Sequence, residues 1–204
     1  MTDRPILFSA EMVRAILDGR KTQTRRAIKP VPTFNGVGAI FDEGDRQEDF
    51  VEPYWVFPET CKYGKPGDLL WVREAWTQYP IELNPEPCDA WYKATSNGPP
   101  PPFKWRPSIH MPRWASRITL EVKGVRVERL QDITEDDAKA EGAKAGDWPE
   151  RPECDCNEDD CAACSHYPAL HKPAFRHIWN KINGPGAWDE NPWVWVISFE
   201  RVKP

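Results

Sequence analysis

Twenty-two of the 204 residues are proline, and 14 of them fall between Pro30 and Pro112. That is about twice the usual share of roughly 5%. Proline fixes φ and has no N–H, so it breaks helices and cannot donate to a sheet ladder. A chain punctuated this densely cannot be a helical bundle. The expectation is short strands separated by long loops, with the 11 Trp filling a small β core or stacking on a nucleobase.

Periodicity places the elements. From Phe8 to Gly19, Met12, Val13, Ile16 and Leu17 share one helical face, Ser9 caps the start and Gly19 stops the helix. Arg20 to Lys29 then alternates Thr22, Thr24 and Arg26 against Lys21, Gln23 and Arg25. This is a strand pattern polar on both faces, which reads either as a solvated edge strand or as a site. The Pro66-Gly67-Asp68 turn delivers a strand over Leu69 to Trp76, and a second strand runs from Ala115 to Val127 with a bulge at Gly124. A short helix follows from Asp132 to Gly142, with Thr134 and Asp137 in capping-box register. The last helix, Ala174 to Ile182, buries Phe175, Ile178, Trp179 and Ile182. The closing strand, Trp193 to Glu200, is apolar on both faces in its first half. Three loop-rich insertions, about 30–65, 79–111 and 143–173, separate these pieces. The sum is an α+β chain: one domain, a small mixed β-barrel or curled sheet with three short helices.

Composition narrows the class further. A hydrophobic fraction of 40% supports a core, and 29% charged residues without long like-charge blocks argue against disorder. No apolar run approaches the roughly 18 residues of a membrane span, and Met1 to Pro5 lacks the order of a signal peptide. The expectation is a cytoplasmic chain with no membrane contact. The net charge of −5 argues against a general nucleic-acid coat, but Ala143 to Cys164 alone holds seven acidic and two basic residues, so the remainder is formally neutral. Met1 to Pro30, with seven basic and three acidic residues, is locally cationic.

The run Gly19-Arg20-Lys21-Thr22-Gln23-Thr24-Arg25-Arg26, just after an amino-terminal helix, resembles the Gly-x-Lys-x-x-x-x-Arg signature of the ASCH domain, a PUA-like β-barrel family. The Pro66-Gly67-Asp68-Leu69-Leu70-Trp71-Val72 turn and strand, the strand at Ile118 to Val122, the helix from Ile133-Thr134-Glu135 to Glu141 and the strand Trp193 to Glu200 resemble that family's elements in the same order. Together they cover about half the chain. Ile182 to Trp188 with Asn191 to Trp195 is similar to a phage and prophage subgroup. The best-defined activity in the family is removal of the acetyl group from the exocyclic nitrogen of 4-acetylcytidine, by a lysine, a threonine three residues later and a glutamate on the later short helix. The resemblance places these on Lys21, Thr24 and Glu141.

The residue types suit that chemistry. A threonine hydroxyl attacks an amide only if something takes its proton, and a lysine can do so only with its pKa lowered by burial or by cations such as Arg20, Arg25 and Arg26. Glu141 would protonate the departing nitrogen if an apolar wall raised its pKa. Arg26, Arg73, Glu74 and Trp76 are the candidate substrate contacts. Two other readings stay open. In a non-catalytic RNA or modified-base reader, Arg25, Arg26, Arg73, Lys93, Lys104, Arg106 and Arg113 contact phosphates and Trp71, Trp76, Trp105 or Trp114 stacks a base. In a ribonuclease, Lys21 works beside a hydroxyl and a phosphate-binding arginine. In every reading the partner is a nucleoside or RNA. In each, too, the bland assignment competes: a lysine beside a helix end, a threonine in a strand, Trp71 in the core, and Arg73 paired with Glu74.

Four of the six Cys lie within 11 residues, Cys154, Cys156, Cys161 and Cys164, with His166 and His171 beyond. Four thiolates so spaced can close around a structural Zn and order an insertion that has almost no apolar residues. The acidic neighbours Asp155, Glu158, Asp159 and Asp160 equally suit a solvated loop. No cofactor is expected for catalysis. Cys61 and Cys88 have no evident partners.

Overall fold

The computed structural model describes residues 2–29, 33–34, 39–40, 61–78, 90–96, 104–145 and 170–202. Among these described residues nine strands appear in chain order: β1 (Asp3–Leu7), β2 (Gln23–Ala27), β3 (Thr33–Phe34), β4 (Ala39–Ile40), β5 (Leu69–Arg73), β6 (Trp76–Gln78), β7 (Ala90–Tyr92), β8 (Thr119–Arg129) and β9 (Trp193–Val202). The α-helices among the described residues are α1 (Ala10–Leu17), α2 (Glu135–Ala140) and α3 (His171–Asn183). Five strands form one mixed sheet in the order β1-β5-β8-β9-β2, parallel only between β1 and β5. The fold class is α+β. Two further strand pairs, β3 with β4 and β6 with β7, stand apart from that sheet.

The sheet does not close. Among the described residues β1 and β2 are its edges, where the sequence predicts a barrel. It nevertheless curls far enough for Arg26 Nη2 on one edge to donate to the Leu7 carbonyl on the other at 2.6 Å. One face carries a core of Ile6, Leu70, Val72, Leu120, Val122, Ile197 and Phe199, joined by Val13 and Ile16 of α1. The opposite face packs Val194 and Val196 against Ala138 of α2 and Phe175 and Trp179 of α3. Both faces of β9 are therefore buried, as its continuous apolar run predicts. Each fully buried Val, Ile or Phe here is worth about 1.5–3 kcal/mol.

Helix ends follow their capping chemistry. Ser9 Oγ accepts from the Met12 N–H, and Gly19 takes a positive φ of 73° where α1 stops. Thr134 and Asp137 form a complete capping box at α2. Helix α3 has no side-chain cap of its own. Instead, the Glu135 carboxylate accepts from the His171 and Lys172 N–H groups at 2.6 and 3.3 Å, so one helix terminates the orphan donors of another.

Three expectations need correction. The strand expected over Leu69 to Trp76 stops at Arg73: the Arg73 carbonyl accepts from Phe8 N, Glu74 N donates to Met111 Sδ, and Trp76 pairs instead with Tyr92 and Arg106. The strand expected from Ala115 starts at Thr119, because residues 113–115 form a 3₁₀ turn and Ser116 Oγ donates to the Val72 carbonyl. It runs on to Arg129 with the register shift falling between Val122 and Gly124, as the sequence predicts. Ile182 is exposed rather than core. The helix ends at Gly184, and beyond it Trp188 packs on Phe175, with ring centroids 6.2 Å apart. Most of the three insertions, and with them the Cys154–Cys164 cluster and His166, lie outside the described residues.

Candidate functional site

The end of α1 sets the site. Past Gly19, the N–H groups of Arg20 and Lys21 both bond back to the Ala15 carbonyl, and Thr22 then bridges two elements. Its N–H donates to the Ala140 carbonyl at the end of α2, while its carbonyl accepts from Phe199 of β9, both at 2.8 Å. The entry to β2 is thereby tied to the residue before Glu141. Gly142 completes the join. It has a φ of 84°, and a Cβ there would stand 3.0 Å from Ala15 Cβ and 3.1 Å from Lys21 Cβ.

This geometry brings Lys21 and Glu141 into contact. Lys21 Nζ donates to Glu141 Oε2 at 2.7 Å and to the Glu141 carbonyl at 2.8 Å, and the two side chains are 0% and 3% exposed. Burial pushes the Lys21 ammonium below its ordinary pKa; Glu141 opposes that shift, and Arg26 and Arg25 add to it. This is the direction a lysine base requires.

Strand β2 splits its side chains between two environments, since directly opposed residues of an antiparallel pair share a face. Thr24 opposes Ile197 and Arg26 opposes Trp195, so both face the Phe8 side. There the Arg26 guanidinium lies 5.2 Å and Lys21 Nζ 5.8 Å from the Phe8 ring. Thr24 is buried beside them, and among the described residues its hydroxyl bonds to neither Lys21 nor Glu141. Catalytic hydrogen bonds commonly tighten only with substrate in place.

On the α2 side, Gln23 and Arg25 enter an ionic network that the sequence reading did not foresee. Arg25, also with a wholly buried side chain, reaches Glu128 at 3.0 Å, Asp137 at 3.1 Å and Glu141 at 3.5 Å. Arg126 pairs with Glu128 and with Asp137, the latter at 3.1 Å, and the Gln23 amide donates to Asp137 at 3.1 Å. With Lys21 and Glu141 this makes three cations and three carboxylates. Asp137 shows the balance. Burial alone would raise its pKa, yet the Gln23 amide, Arg25, Arg126 and the Thr134 N–H together hold it at about 2. The capping box was a visible signal for Asp137, but only its helical half. Arg25 is committed to carboxylates and is no phosphate contact.

The remaining expected contacts divide. Arg73 sits next to the site, its carbonyl taking the Phe8 N–H and its guanidinium donating to the Ile109 carbonyl. Glu74 and Trp76 are not offered to a ligand. Glu74 is buried in a bidentate pair with Arg117 at 2.9 and 3.0 Å, rather than with Arg73, and Trp76 is 2% exposed in a small core with Met111 and Ala115. Trp71 is half-buried, not core. Behind the backbone of Lys21 and Glu141 lies a cleft of about 620 Å³ bordered by Arg20, Thr22, Asp136, Lys139, Lys144 and His171. Among the described residues no three His, Cys, Asp or Glu side chains are grouped to hold a metal, and no helix is long and apolar enough to cross a membrane. No family model, curated protein or solved structure matches the chain.

Proposed function

We propose that this chain is an ASCH-type protein with a PUA-like curled sheet, and that it hydrolyses the acyl amide on the exocyclic nitrogen of a modified cytidine or related nucleoside. The observation that carries this reading is the buried 2.7 Å contact between Lys21 and Glu141, formed just before β2, the strand on which Thr24 is buried. An isolated lysine or glutamate in that position would be a surface residue; two of them sealed together need a reason beyond solubility. The Arg26 bond across the open seam of the sheet supports the PUA-like description.

A single proton shift supplies both catalytic groups. Moving the proton from Lys21 Nζ to Glu141 Oε2 yields a neutral amine and a carboxylic acid, without net charge in the low-dielectric interior. The amine takes the Thr24 hydroxyl proton as Thr24 Oγ1 bonds to the acyl carbon. The acid protonates the cytidine nitrogen as the carbon–nitrogen bond breaks. These transfers leave Lys21 protonated and Glu141 ionised again; a second Lys21-to-Glu141 proton shift frees the amine to take a proton from water as its oxygen bonds to the ester carbon, and the Glu141 acid returns a proton to Thr24 Oγ1 as the ester bond breaks. Arg26, across the seam over Phe8, holds the substrate from the Thr24 side.

The test is incubation of purified protein with 4-acetylcytidine and a panel of acylated nucleosides, alongside Thr24→Val, Lys21→Met and Glu141→Gln. Turnover abolished by each substitution in a folded protein is the expected result. Turnover retained by Thr24→Val would sink the nucleophile assignment. RNA affinity with no product would favour the reader, and shortened RNA the ribonuclease.

A further inference from the structure

The cleft of about 620 Å³ beside the end of α1 takes no part in the chemistry proposed for Thr24. Among the described residues its lining includes none of Lys21, Thr24 and Glu141, but it does include their neighbours: Arg20 and Thr22 on either side of Lys21, Lys139 and Ala140 before Glu141, and Ala143 and Lys144 after it. Its size falls in the range of small-molecule sites, roughly 300–1,000 Å³. The lining is cationic. Lys139 and Lys144 are exposed, and among the described residues neither ammonium has an ion-pair partner. Arg20 Nη2 holds Asp18 at 3.0 Å, with side chains 37% and 57% exposed, and a pair so exposed is worth little. Its Nη1 donates to the Gly142 carbonyl at 3.2 Å, which fixes the guanidinium beside the segment that follows Glu141. Asp136 is the one carboxylate among the described lining residues, and the His171 imidazole already has Glu135 at 3.7 Å.

The donor set selects the ligand. Three cations from separate stretches of chain and the Thr22 hydroxyl border one space, so donors approach it from several directions. A tetrahedral phosphate accepts from several sides at once, whereas a carboxylate accepts near its own plane. The arginine fork and the lysine point charge both suit phosphate. Gly19, Ala140, Ala143 and Ala145 keep the rest of the wall small and weakly polar, which leaves room beyond the anion for an organic group. We propose that this cleft binds a small phosphate ester, with Arg20, Lys139 and Lys144 on the phosphate and the alanines against the organic remainder. The site stands on its own observations, whether or not Thr24 is a nucleophile. A ligand held there joins Arg20, next to Lys21, to lysines on both sides of Glu141, and so braces the two segments that carry the buried pair.

Titration of the intact ¹⁵N-labelled protein with phenyl phosphate, followed by amide NMR shifts, tests it, with phthalate as a dianion that has planar carboxylates instead. Saturable shifts at the Gly19, Thr22, Ala140 and Ala143 amides are expected with phenyl phosphate, and weaker binding with phthalate. At the strength of one exposed ion pair per lysine, Lys139→Gln with Lys144→Gln should weaken phenyl phosphate by about 2- to 30-fold. Lys181→Gln serves as the control for loss of charge alone. It lies ten residues from His171 on α3, about 15 Å along the helix at 1.5 Å per residue, and should leave the affinity unchanged. All three lysines are exposed, and circular dichroism checks that the variants fold. No saturable shift up to about 10 mM phenyl phosphate, shifts confined to other amides, or equal binding of phthalate would each overturn the proposal. So would a loss below twofold in the double variant, an equal loss in Lys181→Gln, or shifts at these amides produced by oligouridylate and not by phenyl phosphate.

Discussion

Replacing Lys21 and Glu141 singly and together distinguishes a buried ion pair kept for chemistry from one kept for stability. Lys21→Met leaves the Glu141 carboxylate, with a side chain only 3% exposed, with Arg25 at 3.5 Å as its ion-pair partner among the described residues. Removing one partner of a buried pair costs about 3–5 kcal/mol. Glu141→Gln leaves a buried ammonium, but its penalty has a ceiling, because the lysine can shed its proton instead. From the ordinary lysine value of 10.5 down to pH 7, at 1.36 kcal/mol per pH unit, is about 5 kcal/mol. The double replacement Lys21→Met with Glu141→Leu removes both charges, while Arg25 keeps Glu128 and Asp137. It should be as stable as the parent or about 1–4 kcal/mol more stable, and inactive. The pH dependence has a fixed sign. Lys21 has its pKa lowered in the folded state, so between that value and 10.5 the unfolded chain binds more protons and stability rises with pH. That rise should be steeper in Glu141→Gln, where the opposing carboxylate is gone, and absent from this site in the double variant. Urea unfolding of the four proteins at pH 7 and 9.5 measures every term. A coupling below about 1 kcal/mol, the value of an exposed pair, would refute the reasoning, as would a double variant less stable than both singles.

Asp137 acts at the other end of the pH scale. Its folded pKa of about 2 lies below the ordinary aspartate value of 3.8, so its contribution of about 2 kcal/mol is present above pH 4 and lost as the pH falls toward 2. In Asp137→Asn the acid limb of the stability profile should flatten by that amount in urea titrations. Gly142→Ala should destabilise the fold by about 1–3 kcal/mol, since it combines a positive φ with contacts of 3.0 and 3.1 Å to Ala15 and Lys21. It should also displace Glu141, lowering turnover of the acylated nucleoside beyond what the loss of folded protein explains; a loss matching the unfolded fraction would deny Gly142 that positioning role.

What the sequence shows and hides follows from the range of the forces involved. Ser9, Gly19, Thr134 and the bulge at Gly124 act within a few residues of themselves, and each is found where local chemistry puts it. Ile182 has helical spacing as good as that of Trp179 but is exposed, whereas Trp188, past Gly184, packs on Phe175, and spacing within the helix does not foretell which neighbour comes to cover it. The same distinction explains the site. Lys21, Thr24 and Glu141 come from a resemblance in pattern, whereas the burial of Gln23 and Arg25 depends on carboxylates 103 to 116 residues away. Alternation alone makes β2 look like a solvated edge strand, and it is indeed an edge. Its polar side chains are nonetheless withdrawn from water. Withdrawing Lys21 and Arg25 is tolerable only because Glu141 is withdrawn with them and Glu128 on β8 and Asp137 on α2 are partly so. A network of that kind costs more to assemble than apolar packing of equal volume. Its persistence on the strand that carries Thr24 is therefore an argument for chemistry there, and the double replacement of Lys21 and Glu141 puts that argument at risk.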